Sequence, residues 1–400
     1  MTPSSPHPHE KALTNEEFSL VAGGPIYQLL VRTGLLRPPV DLLKRRVAAV
    51  LVICWLPLLV LSLVEGRAIS GVRIPFLKDP DIQVRLLFSL PIYLMAEKVV
   101  HQRLRSYVRY FTDTGVVRGA DRERFEGLVA TTLRFRNSLV AELGMVVFVY
   151  TVGHTLWAEQ LAVHGETWFA TPAGDALAFT LAGHWFSWVV MPIFQFMLLR
   201  WWYRIVLWWV FLVRVARLPL DLVPTHPDHA GGLGFLGTAT MAFAPLLVAQ
   251  TSLVSAMIAG RILHQGARLQ DFKVEIASAL LFALVQALLP LFAFVPKLLL
   301  AQRKGLHDYG LLANRYVRDF DRKWIGGEAP ADEELVGTGD IQSLADLEGS
   351  YAIVRQMQPL PFGRDVVVLL LVSAALPLLP LVTTVIPLEE LLKRLLEAMI

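Results

Sequence analysis

Residues Ile276–Leu300 read IASALLFALVQALLPLFAFVPKLLL, with Lys297 as the sole charge. A helix rises 1.5 Å per residue, so this stretch would extend about 37 Å, more than the roughly 30 Å of a bilayer's hydrocarbon core. It is not alone. Val47–Leu63, Leu139–Trp157, Ala176–Leu199, Thr238–Ala259 and Val366–Ile386 are runs of the same kind. Val84–Val100 is a weaker one, with Arg85 at one end and Glu97 and Lys98 at the other; it is plausible only as a short or tilted crossing. The expected fold class is therefore an all-α polytopic transmembrane helix bundle of about seven spans, with helical extensions on the cytoplasmic side.

Composition agrees. Hydrophobic residues make up 54% of the 400-residue chain and charged residues 18%, below the share usual in soluble domains. A soluble protein could not cover that much apolar surface. Cys54 is the single cysteine, so no internal disulfide can form and no multi-cysteine zinc site is possible. No cofactor is called for, and nothing points to nucleic acid.

Charge placement gives a direction. Lys44, Arg45 and Arg46 precede the first run, and the connection from His101 to Asn137 carries eight arginines. The connection from Glu159 to Asp175 carries no lysine or arginine. The N-terminus is thus expected in the cytoplasm and the C-terminus outside. Arg67, Arg73, Lys78, Arg261, Arg268 and Lys273 dissent. The domain plan is a cytoplasmic arm over 1–46, a bundle over 47–300 with a cytoplasmic hairpin at 101–137, and a cytoplasmic region at 301–364. A last span follows at 365–387, then an amphipathic tail at 388–400. In 301–364, Ile341, Leu344, Leu347, Tyr351 and Val354 keep helical spacing, with Asp340 placed as the cap.

Polar side chains at membrane depth are the candidate functional residues, because they are costly there. Glu142, His154, His184, Gln250 and Gln286 fall in the runs. One reading is a polar path for a small solute or ion, with histidines outside, amides at the centre and a carboxylate inside. The other is interhelical bonding, above all between Gln250 and Gln286, both near mid-membrane on consecutive helices. Between Arg200 and Arg217, Trp201, Trp202, Tyr203, Trp208 and Trp209 lie among arginines, the pattern of a water–lipid interface and of contact with anionic headgroups. A protein partner or a second copy would use 101–137 or 301–364. The alternative to transport is a scaffold or sensor built on those surfaces.

The loop Pro224-Thr-His-Pro-Asp-His-Ala-Gly-Gly-Leu-Gly-Phe-Leu-Gly237 is the densest local signal. His226, Asp228 and His229 offer imidazole and carboxylate ligands to a divalent metal, although three ligands within four residues seldom converge on one ion. Gly232, Gly234 and Gly237 match a dinucleotide fingerprint as a string but follow no strand, so that reading fails. Close helix packing, with Asp228 capping the next helix start, fits the loop better. No Ser-His-Asp order, HExxH or Walker A motif points to an enzyme.

This loop, with Gly339-Asp-Ile-Gln-Ser-Leu-Ala-Asp-Leu347 and Pro361-Phe-Gly-Arg-Asp365, resembles an uncharacterised family of bacterial multi-pass membrane proteins. The resemblance runs from about the fourth span to the C-terminus and leaves the N-terminal arm uncovered. It implies a bacterial inner-membrane location. It brings no activity, fold or ligand.

Overall fold

The computed structural model describes residues 18–155, 166–173, 176–330 and 333–383. They are overwhelmingly helical. After a short α1 (Pro25–Arg32), α2 (Leu43–Val64) is the first long apolar helix. A continuous helix over 80–113, here α3, contains one wider π turn at Arg85–Ser89. It leads through a turn into α4 (Asp121–Arg136), and α5 (Leu139–Gly153) follows at a bend of 41°. A two-stranded antiparallel hairpin, β1 (Ala170–Ala173) and β2 (Ala176–Phe179), precedes α6 (Leu181–Ala216). Then come α7 (Phe235–Gln265), α8 (Leu269–Ile325), α9 (Asp340–Arg355) and α10 (Arg364–Val382).

Among the described residues, α2, α6, α7, α8 and α10 are long and apolar enough to cross a membrane, and the bent α4–α5 pair adds a sixth crossing if it counts as one. The chain is an integral membrane protein of the helical-bundle class. Its outward surface carries the mark of lipid contact, since Val52, Val147, Leu281, Phe282 and Val372 are exposed on the helices.

α3 is less apolar than the other long helices of the bundle yet lies at the centre. α2 and α7 pack against it, and α6 reaches it through side chains. Leu86, Leu90, Tyr93, Leu94, Ala96 and Val100 are buried along its length. A helix surrounded by protein need not be greasy on every side. That is why its polar residues weaken the hydropathy signal without expelling it from the bundle.

Several boundaries differ from the sequence expectation. The apolar helix expected over 176–199 begins at Leu181, because Ala176–Phe179 is strand paired with Ala170–Ala173. Region 301–364 begins as a continuation of α8, which runs without a break of helix to Ile325. Asp340 does not cap α9. It is the first helical residue, and its carboxylate instead accepts bonds from Lys323 Nζ at 3.0 Å and Trp324 Nε1 at 2.9 Å. Those two donors, Lys323 first, hold Asp340 below the usual carboxylate range. The amphipathic tail 388–400 and the first seventeen residues lie outside the described residues.

The hairpin turns at Gly115, whose φ of 74° suits glycine, and Val117 N–H closes the turn on Phe111 O at 2.9 Å. Beyond Pro57, the prolines inside the long helices sit beside loosened turns. Pro91 and Pro192 follow π turns, Pro245 follows a 3₁₀ turn, and Pro290 and Pro377 lie within 3₁₀ turns. A missing N–H costs least where the ladder is already interrupted.

Candidate functional site

Polar residues recur along α3 at every fourth position: Asp81, Arg85, Ser89, Tyr93, Glu97 and His101. Such a row winds slowly around a helix, advancing about 40° per step, and the π turn takes back part of that drift. From Asp81 to His101 is about 30 Å of helix, the thickness of a hydrocarbon core. The ridge therefore runs from one end of the bundle to the other.

At the end remote from the arginine-rich hairpin, Arg85 bonds Asp81 at 2.6 Å and lies over the Phe194 ring at 5.1 Å. Asp79 caps the start of α3 and accepts a bond from Trp168 Nε1 at 2.9 Å. Burial pushes the Asp79 pKa up, against the hydrogen bond from Trp168. Two cavities, of about 570 and 780 Å³, open beside this group, and Asp79, Asp81 and Arg85 line both. Mid-way, Ser89 bonds Ser252 of α7 at 2.7 Å. One turn on, the Tyr93 hydroxyl is buried with no partner among the described residues. Ser89 and Tyr93 are both 0% exposed, so the ridge is packed shut at its centre.

At the hairpin end lies a buried charge cluster. Glu97 is bonded by Arg46 of α2 and, at 2.8 Å, by Arg204 of α6; Arg200 stands 3.7 Å away. Arg200 also lies 3.6 Å from Glu142 of α5. Glu142 in turn accepts the Ile26 N–H at the start of α1 at 2.8 Å. His101 Nδ1 meets Ser19 Oγ at 2.7 Å, and Arg136 donates to Ser19 O at 2.5 Å. The segment before α1 is thereby drawn into the bundle, with Phe18, Leu20 and Val21 buried. Three guanidinium groups face two carboxylates, a formal excess of one positive charge among Arg46, Arg200, Arg204, Glu97 and Glu142.

This corrects the reading of 200–217 as a purely interfacial segment. Arg200 and Arg204 are 6% and 3% exposed, turned inward onto Glu97; Arg214 and Arg217 alone of the four arginines are exposed. Carboxylates on α3 and α5, far apart in sequence, supply the partners that make burial tolerable. Spacing within one span cannot show that.

The five residues read as a polar path fall in separate places. Gln250 and Gln286 bond each other in both directions, one bond at 3.2 Å, and Trp209 Nε1 donates to Gln286 O at 2.9 Å. His154 stacks on Trp188 at 4.6 Å. His184 Nδ1 lies 2.8 Å from Thr180 O, one turn before it. Glu142 alone joins the charge cluster. The amide pair predicts a specific pattern. Gln250→Leu should cost about 1 kcal/mol by leaving Gln286 half-satisfied, while Gln250→Leu with Gln286→Leu should cost less than the sum of the singles. Thermal unfolding of the four proteins in detergent checks it.

The loop at 224–237 folds around Asp228. Its Oδ1 accepts Ala230 N–H at 2.9 Å and Gly232 N–H at 3.1 Å, its Oδ2 accepts Gly234 N–H at 2.8 Å, and His226 Nδ1 stands 2.8 Å from Oδ1. Burial raises the Asp228 pKa, but these donors outweigh it and hold the group below the usual carboxylate range. Both carboxylate oxygens are thus taken by the backbone. Among the described residues no group of three or more His, Cys, Asp or Glu could hold a metal ion, so His226, Asp228 and His229 do not form one. The glycines are packing positions. Gly305 of α8 lies against Pro224, and Gly231 against Met357. Asp228→Ala should lose about 2 kcal/mol. Because the folded pKa is lowered, the Asp228 contribution is present above the unfolded value near 4 and is lost as pH falls through the folded value. Stability measured from pH 7 downward should fall less steeply at the acid end in the variant.

No family model, no curated protein and no solved structure matches this chain.

Proposed function

We propose that this protein is a transporter or channel for small inorganic anions, with the α3 ridge as its path. The observation that carries this reading is the ridge itself. Its groups include Arg85, paired with Asp81, at one end and the cationic cluster of Arg46, Arg200 and Arg204 at the other, joined by the hydroxyl groups of Ser89 and Tyr93. Anions are stabilised by N–H and O–H donors and by guanidinium charge, and basic side chains select them in pores. Glu97 faces three arginines, so the cluster keeps a positive balance. The cavities around Arg85 form the vestibule, and the packed Ser89–Tyr93 section is the closed gate.

The membrane setting belongs to the same proposal: a bacterial inner membrane, about seven crossings with α3 counted, the arginine-rich hairpin in the cytoplasm and the C-terminus outside. The charge asymmetry of the connections and the motif resemblance support it.

A scaffold role is the second reading, and one observation favours it. α8 extends past its apolar part and carries exposed Leu311, Leu312 and Val317, with Ile325 at its end, on the surface read as a partner or self-association site. The two separate in proteoliposomes loaded with potassium chloride and treated with valinomycin. The transport reading expects chloride efflux at least tenfold above protein-free vesicles. If chloride, bromide, nitrate and fluoride all stay at the protein-free rate, transport of small anions is ruled out.

A further inference from the structure

A cavity of about 410 Å³ lies on the flank of the bundle between α2, α5 and α6, closed at the hairpin end by α1. Its walls are apolar: Ile26, Leu35, Val50, Ile53, Tyr150 and Ile193. Ile53 and Tyr150 are also exposed on the outer surface of the bundle, so the cavity opens sideways, toward lipid. Two charged residues line it, Arg46 and Arg200, both at the end nearest the charge cluster. Arg46 is 4% exposed, and while its Nη2 holds Glu97, its Nη1 has no hydrogen-bond partner among the described residues.

A buried guanidinium N–H without an acceptor is costly, and the surrounding cluster is short of one negative charge. From Arg46 to Ile53 is seven residues, about 10 Å of helix, and the cavity stays apolar over that distance. A ligand that fits must therefore be anionic at one end and apolar beyond it. It must also arrive from the membrane.

We infer that this cavity binds one anionic phospholipid, its phosphate on Arg46 Nη1 and Arg200 and part of an acyl chain between α2, α5 and α6. The lateral mouth admits a chain from the bilayer without unfolding α1. The phosphate supplies the acceptor that Arg46 lacks and cancels the excess charge. A zwitterionic headgroup would bring a second positive charge to a site that already has one in surplus. This binding stands whether or not anions cross along α3.

Native mass spectrometry of the detergent-purified full chain tests it, with phosphatidylglycerol, phosphatidylcholine and glycerol 3-phosphate as probes. One phosphatidylglycerol should bind at least tenfold more tightly than phosphatidylcholine. Ile53→Trp and Ile193→Trp each fill the apolar part and leave both arginines in place; each should weaken that binding at least tenfold. If one variant fails to fold, the other carries the test. Glycerol 3-phosphate should not displace the lipid. Equal affinity for the two lipids, or unchanged binding in the filled variants, would overturn the inference. Full displacement by glycerol 3-phosphate would also overturn it, by showing a site for free anions.

Discussion

Glu97→Ala is expected to lose about 3–5 kcal/mol, the scale on which a buried ion pair fails when one partner is removed. The substitution leaves Arg46, Arg200 and Arg204 facing one another, with Glu142 as the remaining nearby carboxylate. Repulsion and uncompensated burial act together. Little folded protein should survive extraction, read as loss of the monodisperse peak in detergent chromatography. Glu97→Leu combined with Arg204→Met should recover part of the loss, because it lowers the excess charge while keeping volume. If Glu97→Ala unfolds no earlier than the natural protein, the cluster does not hold α2, α3 and α6 together.

Gly237→Val should be nearly as damaging, by about 2–3 kcal/mol. A Cβ at this position would stand 2.8 Å from Phe362 Cβ and 2.9 Å from Pro361 O, so backbone blocks it and no side chain can swing aside. Gly237 N–H also donates to Pro361 O at 3.1 Å, which fixes the approach. This contact, with Gln358 N–H on His229 O at 2.7 Å, ties the entry of α10 to the start of α7. The expected result is a lowered unfolding midpoint for Gly237→Val and a smaller loss for Gly237→Ala. Similar midpoints for all three proteins would contradict it.

The apolar helices were legible because a bilayer imposes a length and an apolar surface on whatever faces it. The Gln250–Gln286 bond was also within reach, since it follows from depth on neighbouring helices; Asp228, expected to cap the next helix, instead holds the N–H groups of Ala230, Gly232 and Gly234 in the loop ahead of it. α3 was the least legible. Its hydropathy is weak because Arg85 and Glu97 sit in it, and those two side chains hold the ion pairs toward its two ends. The signal was present as a four-residue recurrence of Asp81, Arg85, Ser89, Tyr93, Glu97 and His101, but an average over a window erases spacing. Arg200 and Arg204 misled in the opposite sense. Arginine beside tryptophan is the ordinary sign of an interface, and only the fold brings Glu97 and Glu142 to them.

Tyr93→Phe separates a path from a structural seam. The Tyr93 hydroxyl is buried and makes no bond among the described residues, so removing it keeps the shape and takes away an unsatisfied polar group. Folding alone therefore predicts an unfolding midpoint that is unchanged or raised. The anion path predicts that chloride efflux from proteoliposomes falls at least tenfold in the same variant, because the unpaired hydroxyl between Ser89 and the arginine cluster is gone. Efflux equal to that of the natural protein, at equal reconstitution, would contradict the account.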